Sequence, residues 1–220
     1  LAFAISLFFQ YQNFQNDKLH IREEFTKVKE EQIKREVLSV YNLIDHKEEI
    51  LTNSIKDKLK ERVNQAYNLA TNIYEENKNK KTPKEIQLLI ADALNNSSYG
   101  DDKTYFFINS NSGQAVLFNK KIKLDTYNDV WNLKDENGNY IIQQQAKIAL
   151  ENKEGFLNTT FVKPDTHDNK QYSKISYVKL FEPYNWHIGM GEYLDDIRIY
   201  AQNEILELIA SVRFSGDNYL

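Results

Sequence analysis

Residues 171–196 read QYSKISYVKLFEPYNWHIGMGEYLDD, and this stretch sets the architecture of the chain. Lys174 to Phe181 is rich in β-branched and aromatic residues, which suit a pleated, half-buried surface. Glu182-Pro183-Tyr184-Asn185 breaks the run, because proline fixes φ and donates no backbone hydrogen bond, while asparagine favours turns. Trp186 to Tyr193 resumes the apolar pattern with Gly189 and Gly191 inside it. Two glycines within a strand predict a bulge or a place where another group approaches the backbone closely. Asp195-Asp196 follows, where a helix N-terminus favours a capping side chain and negative charge. The stretch therefore predicts a closing hairpin feeding a helix.

The string S-Y-V-K-x-F-x-P-x-x-W-x-I-G-x-G-x-Y-x-D-D, from Ser176 to Asp196, strongly resembles the closing hairpin of Cache domains, the extracytoplasmic ligand-sensing modules of bacterial receptors. Weaker matches lie upstream at Tyr105-Phe106-Phe107-Ile108-Asn109, at Gly113, and at Trp131-Asn132-Leu133-Lys134-Asp135 with Gly138. The resemblance covers about residues 30–210. It implies a PAS-like α+β fold in which a long N-terminal helix packs on a five-stranded antiparallel sheet and a C-terminal helix follows. It further implies a small-molecule pocket on the central strands and on the segment Phe118–Trp131. Phe118-Asn119 stands where many relatives carry a His-Pro pair.

Working outward, residues 17–77 contain neither glycine nor proline, and apolar residues recur at helical spacing, as in Leu51, Ile55, Leu59, Val63, Ala66, Leu69, Ala70 and Ile73. About 60 helical residues would reach roughly 90 Å at 1.5 Å per residue. Such a helix must project, bend back, or pair with a second copy; a parallel homodimer seam and a solvated helix are the two readings. Thr82-Pro83-Lys84-Glu85 is a helix start, with a capping threonine, proline at the first helical position and glutamate three residues after the cap. That helix stops by Asn95–Gly100.

Beyond Gly100 the apolar period changes to two. Thr104–Asn109 and Gln114–Phe118 form a predicted hairpin around Asn111-Ser112-Gly113. Lys120–Lys134, with Asp125, Tyr127 and Trp131, reads as irregular; Asp135–Gly138 reads as a turn and Tyr140–Asn152 as an amphipathic helix. Gly155–Val162 is a third strand, Pro164–Lys170 a polar loop, and the closing hairpin supplies strands four and five. A final helix runs from Asp196 to about Val212. Strands joined by hairpins mean an antiparallel sheet with segregated helices.

The apolar run Leu1–Phe9 is shorter than the roughly 20 residues that span a bilayer. Tyr11 and Phe14 after it suit an interfacial aromatic belt, and the resemblance implies a membrane anchor there, so residues 1–16 are expected to be the end of a transmembrane helix. The expected organisation continues with the long helix at 17–80, the sensor module at 81–210, and the start of a second module at 211–220. This makes the chain the first, membrane-distal module of a tandem receptor.

Chemistry is constrained by what is missing. A net charge of −4 and a pI near 5.7 exclude a basic nucleic-acid surface. The absence of cysteine excludes thiolate catalysis, disulfides and cysteine-ligated zinc. His20, His46, His167 and His187 show no metal-ligand spacing, and His187 beside Trp186 reads as a packed histidine. Asp135–Asn139 fails as a calcium loop, since Gly138 falls at the fourth position instead of the sixth and Ala146 takes the twelfth. Phosphate-binding and dinucleotide motifs are missing too, so no cofactor, metal or catalytic residue is expected.

What remains is aromatic and cationic: Tyr105, Phe107, Phe118, Tyr127, Trp131, Tyr172, Tyr177 and Trp186, with Lys123, Lys174 and Lys179 among them. Such a set either forms plain hydrophobic core or lines a pocket in which lysine neutralises a small anion and tyrosine hydroxyls orient it. Strand alternation puts Tyr105, Phe107 and Asn109 on one face, and leaves open whether Lys174, Ser176 and Val178 or Ile175, Tyr177 and Lys179 face a ligand. The candidate ligand-binding residues are Tyr105, Phe107, Phe118, Asn119, Trp131, Lys174, Ser176, Tyr177, Trp186 and Met190. The expected ligand is a short carboxylate or a similar small polar metabolite. The expected function is the sensing domain of a histidine kinase or chemoreceptor, with ligand binding transmitted through the helices. A structural dimerisation module is the alternative.

Overall fold

A computed structural model describes residues 2–97, 105–124, 128–163 and 170–211. The expected start of the first strand at Thr104, Asp125, Tyr127, the polar loop with His167 and the entry to a second module beyond Ser211 lie outside these residues. Helix α1 runs over Ala2–Asn77 and α2 over Pro83–Asn96. Strands β1 (Phe106–Ser110), β2 (Ala115–Phe118) and β3 (Lys121–Ile122) follow, then α3 (Ile141–Asn152), β4 (Glu154–Val162) and β5 (Gln171–Phe181). A single 3₁₀ turn at Glu182–Tyr184 leads to β6 (Trp186–Tyr193) and α4 (Leu194–Ser211).

The strands form one sheet in the order β3-β2-β1-β6-β5-β4, with antiparallel neighbours throughout. The expected five strands are thus six. The additional one arises at Asn119-Lys120, whose φ values of 49° and 58° make a tight turn that pairs Phe118 with Lys121 and Leu117 with Ile122. Positive φ at both central residues is the hairpin geometry that matches strand twist, and here it is adopted without a glycine.

The chain divides into two compact units. One comprises Glu48–Ala201, and the other joins the residues up to Lys47 with those from Gln202. In the first, the C-terminal part of α1 buries Leu59, Val63, Ala66 and Ala70, spaced four, three and four residues apart on one helix face. Helix α2 adds Ile86, Ile90, Ala91 and Leu94. Its start is fixed by the expected capping box: the Thr82 N–H donates to Glu85 Oε2 at 2.8 Å, and the Glu85 N–H donates to Thr82 Oγ1 at 3.4 Å. These helical faces share one core with Phe106, Ile108, Ile175, Tyr177, Phe181, Trp186, Ile188 and Met190 of the sheet. Residues alternating with these point to the opposite face, where α3 packs over β4, β5 and β6.

In the second unit, Lys47 Nζ pairs with Glu204 Oε2 at 2.7 Å and Ile205 is buried. Leu7, Phe14, Ile21 and Val28 fall seven residues apart, with Tyr11 and Phe25 four residues after the first and third, and all are exposed in the single chain. No helix among the described residues is long and apolar enough to cross a membrane. The expected acidic N-cap is displaced by two positions, since α4 begins at Leu194 and both aspartates lie in its first turn, where their charge still opposes the helix dipole.

Candidate functional site

The α3-covered face of the sheet holds a cavity with about 30 Å³ of room for the centres of water-sized molecules. Its sheet wall is built by period two: Phe107 and Asn109 on β1, Lys174 and Ser176 on β5, Thr159 and Phe161 on β4. Tyr105, Phe118 and Asn119 close one side, and Ile141, Ile142 and Gln145 cover it from α3. A volume of this size takes a molecule of a few heavy atoms, since one water needs roughly 10–15 Å³.

The two glycines of β6 make this wall possible. Partner registers run without interruption from Lys174–Tyr193 to Phe181–Trp186, so neither glycine marks a bulge. A Cβ on Gly191 would lie 2.5 Å from Lys174 Cε and 2.6 Å from Ser176 Oγ. One on Gly189 would lie 2.3 Å from the Phe107 ring. The missing side chains are the space that Lys174 and Phe107 occupy.

Lys174 is 5% exposed. Its Nζ donates to the Tyr105 hydroxyl at 3.3 Å and lies 4.7, 5.3 and 4.9 Å from the ring centroids of Tyr105, Phe161 and Tyr193. No carboxylate forms an ion pair with it among the described residues. Burial pushes its ammonium down to about 8, and only the charge of Glu192 acts in the other direction. The Tyr105 hydroxyl also lies 3.5 Å from Asn119 Oδ1, which puts the β2–β3 turn at the same end of the cavity. A desolvated ammonium beside a hydroxyl can pair with a small anion through charge-assisted hydrogen bonds.

At the other end lies a carboxamide cluster around His187, which is fully buried. Its Nδ1 is 2.8 Å from Asn111 Oδ1, and its Nε2 is 3.4 Å from Asn109 Nδ2 and 3.2 Å from Gln145 Oε1. Burial drives its pKa down to about 3, so the imidazole is neutral and carries one proton. This is the packed histidine that the sequence predicts.

Of the expected site residues, Tyr105, Phe107, Phe118, Asn119, Lys174 and Ser176 meet at the cavity. Tyr177, Trp186 and Met190 do not: they have the opposite strand parity and are core residues beneath α1 and α2. The Trp186 ring stacks near Tyr184 at 4.9 Å and Phe181 at 6.3 Å. Trp131 instead covers Gly113, where φ is +97° and a Cβ would meet the Trp131 Cβ at 2.6 Å. The Asp135–Gly138 turn is also as expected, closed by Gly138 N–H to Asp135 O at 3.0 Å, with Oδ1 of Asp135 accepting from the Asn137 and Asn139 N–H groups. Sequence reasoning missed Asn109 as a site residue, although its shared face with Tyr105 and Phe107 was a signal. Gln145, Ile141, Ile142, Thr159 and Phe161 carried no signal, since their convergence depends on how α3 and β4 pack.

A family model described as Cache domain matches residues 10–220. The chemotaxis protein McpP of Pseudomonas putida is 30% identical over 98 residues, which are 44% of this chain and 18% of that protein. The chain therefore spans about a fifth of that relative's length. Among solved structures, a periplasmic sensor domain of a chemotaxis protein superposes with a TM-score of 0.59 at 22% identity, covering 64% of this chain and 96% of that one. A Cache chemosensory domain studied for carboxylic acid recognition gives 0.59 at 24% identity, covering 66% and 97%. A methyl-accepting chemotaxis protein from Vibrio parahaemolyticus gives 0.59 at 22% identity, covering 70% and 98%. With its closing hairpin, its antiparallel sheet between α1–α2 and α3, and a family match over nearly its whole length, this chain belongs to the Cache domain family.

Proposed function

We propose that this Cache domain is the periplasmic, ligand-sensing part of a bacterial transmembrane receptor and that its ligand is a short carboxylate. The observation that carries the reading is Lys174, a buried cation in a small cavity with no carboxylate ion-paired to it among the described residues. Burying an unpaired charge destabilises a fold, and a bound anion offsets that cost. The similar chemosensory domain named for carboxylic acid recognition supports the same ligand class.

Output lies outside the chain, in a chemoreceptor or histidine kinase, and any catalysis belongs there. The exposed seven-residue repeat from Leu7 to Val28 supports a parallel homodimer seam. An anchor at residues 1–16 and a second module entered at 211–220 complete the proposed receptor. Ligand binding shifts an equilibrium between helix arrangements by no more than its differential affinity for them.

A thermal-shift screen of the 220-residue chain against two- to four-carbon carboxylates, amino acids, amines and purines tests this. Ligand at 100 times its dissociation constant should stabilise the fold by about 2.7 kcal/mol. Stabilisation by carboxylates alone is expected; stabilisation only by amines or purines, or by nothing, contradicts the reading.

A further inference from the structure

The carboxamide end of the cavity makes a demand of its own. The orientations of the amides there follow from one another. Asn111 Nδ2 donates to Asn185 Oδ1 at 3.0 Å, which turns Asn111 Oδ1 toward His187 Nδ1 and assigns that nitrogen the imidazole proton. Nε2 of the neutral ring is then an acceptor, and Asn109 must present its NH₂ group to it. Asn109 Oδ1 is left facing away from His187. It is buried and has no hydrogen-bond partner among the described residues, and Asn109, 1% exposed, lines the cavity. Gln145 Oε1 lies 3.2 Å from the same nitrogen and faces His187, so it adds no second unpartnered acceptor. The carboxamide end of the cavity therefore offers one unpartnered acceptor, Asn109 Oδ1.

Resting on the carboxylate reading of this cavity, we propose that the ligand is a short monocarboxylate with a hydroxyl group remote from its carboxylate, and that the hydroxyl donates to Asn109 Oδ1. The carboxylate lies at the Lys174 and Tyr105 end. Tyr105 and Asn109 are four residues apart on one face, so their Cα atoms are separated by roughly 13 Å at about 3.3 Å per residue, and both side chains line the cavity between them. A hydroxyl on the carbon next to the carboxylate stays at the lysine end, whereas one farther along the chain extends toward the amide. A hydroxyl suits this end better than an ammonium, because no acidic side chain lines the cavity among the described residues. Asn109 is then a specificity-determining residue, held in its donor-to-histidine orientation by His187 and Asn111.

The test is calorimetric titration of the 220-residue chain with matched pairs: propanoate against 3-hydroxypropanoate, and butanoate against 3-hydroxybutanoate. 2-Hydroxypropanoate controls for hydroxyl position and 3-aminopropanoate for charge. A buried acceptor left unsatisfied costs enough that each 3-hydroxy acid should bind roughly tenfold tighter or more than its deoxy partner. The 2-hydroxy acid should show no such gain. N109L should erase the preference, so that each 3-hydroxy acid binds no tighter than its deoxy partner. Equal binding within each pair, a preference that survives N109L, or tighter binding of 3-aminopropanoate would overturn the inference and leave the carboxylate reading standing. Failure of every carboxylate to bind overturns both. Where N109L does not fold, the wild-type ratios decide.

Discussion

The two faces of β5 are built from alternate residues of one strand and are opposites in chemistry. Ile175, Tyr177 and Phe181 enter a closed apolar core under α1 and α2, while Lys174 and Ser176 enter a cavity under α3 that contains a buried charge. The first face holds the fold together, and the second works against it. Such a division fits a sensor: the ligand-binding side carries costs that the ligand relieves, and the strand that carries them is the strand on which the long helix rests.

The comparison breaks most directly on the filled face. Phe181 is fully buried, with the rings of Tyr67, Tyr74, Tyr184 and Trp186 centred 6.0 to 6.3 Å away. Phe181→Ala should lose about 3–5 kcal/mol in urea unfolding. A loss below about 1 kcal/mol would mean that this face is not the one that stabilises the fold.

On the cavity face the sign should reverse. The folded-state pKa of Lys174 lies near 8 and its ordinary value is 10.5, so the penalty is fully present below about pH 8 and disappears as pH rises to 10.5. At 1.36 kcal/mol per unit this is roughly 3 kcal/mol. Lys174→Met should therefore raise ligand-free stability at pH 7 by about 1–3 kcal/mol and remove the rise between pH 8 and 10.5. Denaturant midpoints at several pH values measure both; a destabilised variant at pH 7 would show that the ammonium already has a partner.

An effect of similar size and opposite sign is expected at Gly191. An alanine there must displace Lys174 and Ser176 and crowds the Ile175 carbonyl at 2.9 Å. It should cost about 1–3 kcal/mol, and carboxylate affinity should fall along with stability. Unchanged affinity in a folded G191A would separate the lysine from the ligand.

The smallest effect concerns the ties between β4–β5 and α1. Lys179 Nζ reaches Asn64 Oδ1 and Glu154 Oε2, both at 2.7 Å, and Lys60 pairs with Glu154 at 3.4 Å. Lys179 holds the Glu154 carboxyl down at about 2, so its stabilisation is present above about pH 4.5 and is lost as pH falls toward 2. Both groups are partly exposed, so Lys179→Met should cost at most about 1 kcal/mol at pH 7. If carboxylate affinity is unchanged in that variant while stabilisation of α1 by ligand disappears in hydrogen exchange, the ties transmit occupancy to the helix.

Much of this comparison was legible in the sequence. Trp186–Tyr193 appears as the strand its alternation predicts, and Thr82–Glu85 as the capping box its spacing predicts, because both signals are local. The sixth strand was hidden because Asn119-Lys120 turns with positive φ but lacks the glycine that usually announces it. Parity was readable along β5, but not which parity faced the cavity. That choice rests on where α1 and α3 dock, so Tyr177, Trp186 and Met190 were read as pocket residues when they are core. Asn109 and Gln145 come together from β1 and α3 around His187, a convergence that no spacing encodes.

The most direct test of the account is the dissociation constant of propanoate, measured by calorimetry from about pH 6 to about pH 10. If the protonated Lys174 holds the carboxylate, affinity should be level up to about pH 8 and then fall about tenfold per pH unit as the free protein loses that proton. Affinity that stays level through pH 10, or no binding at any pH, would contradict it.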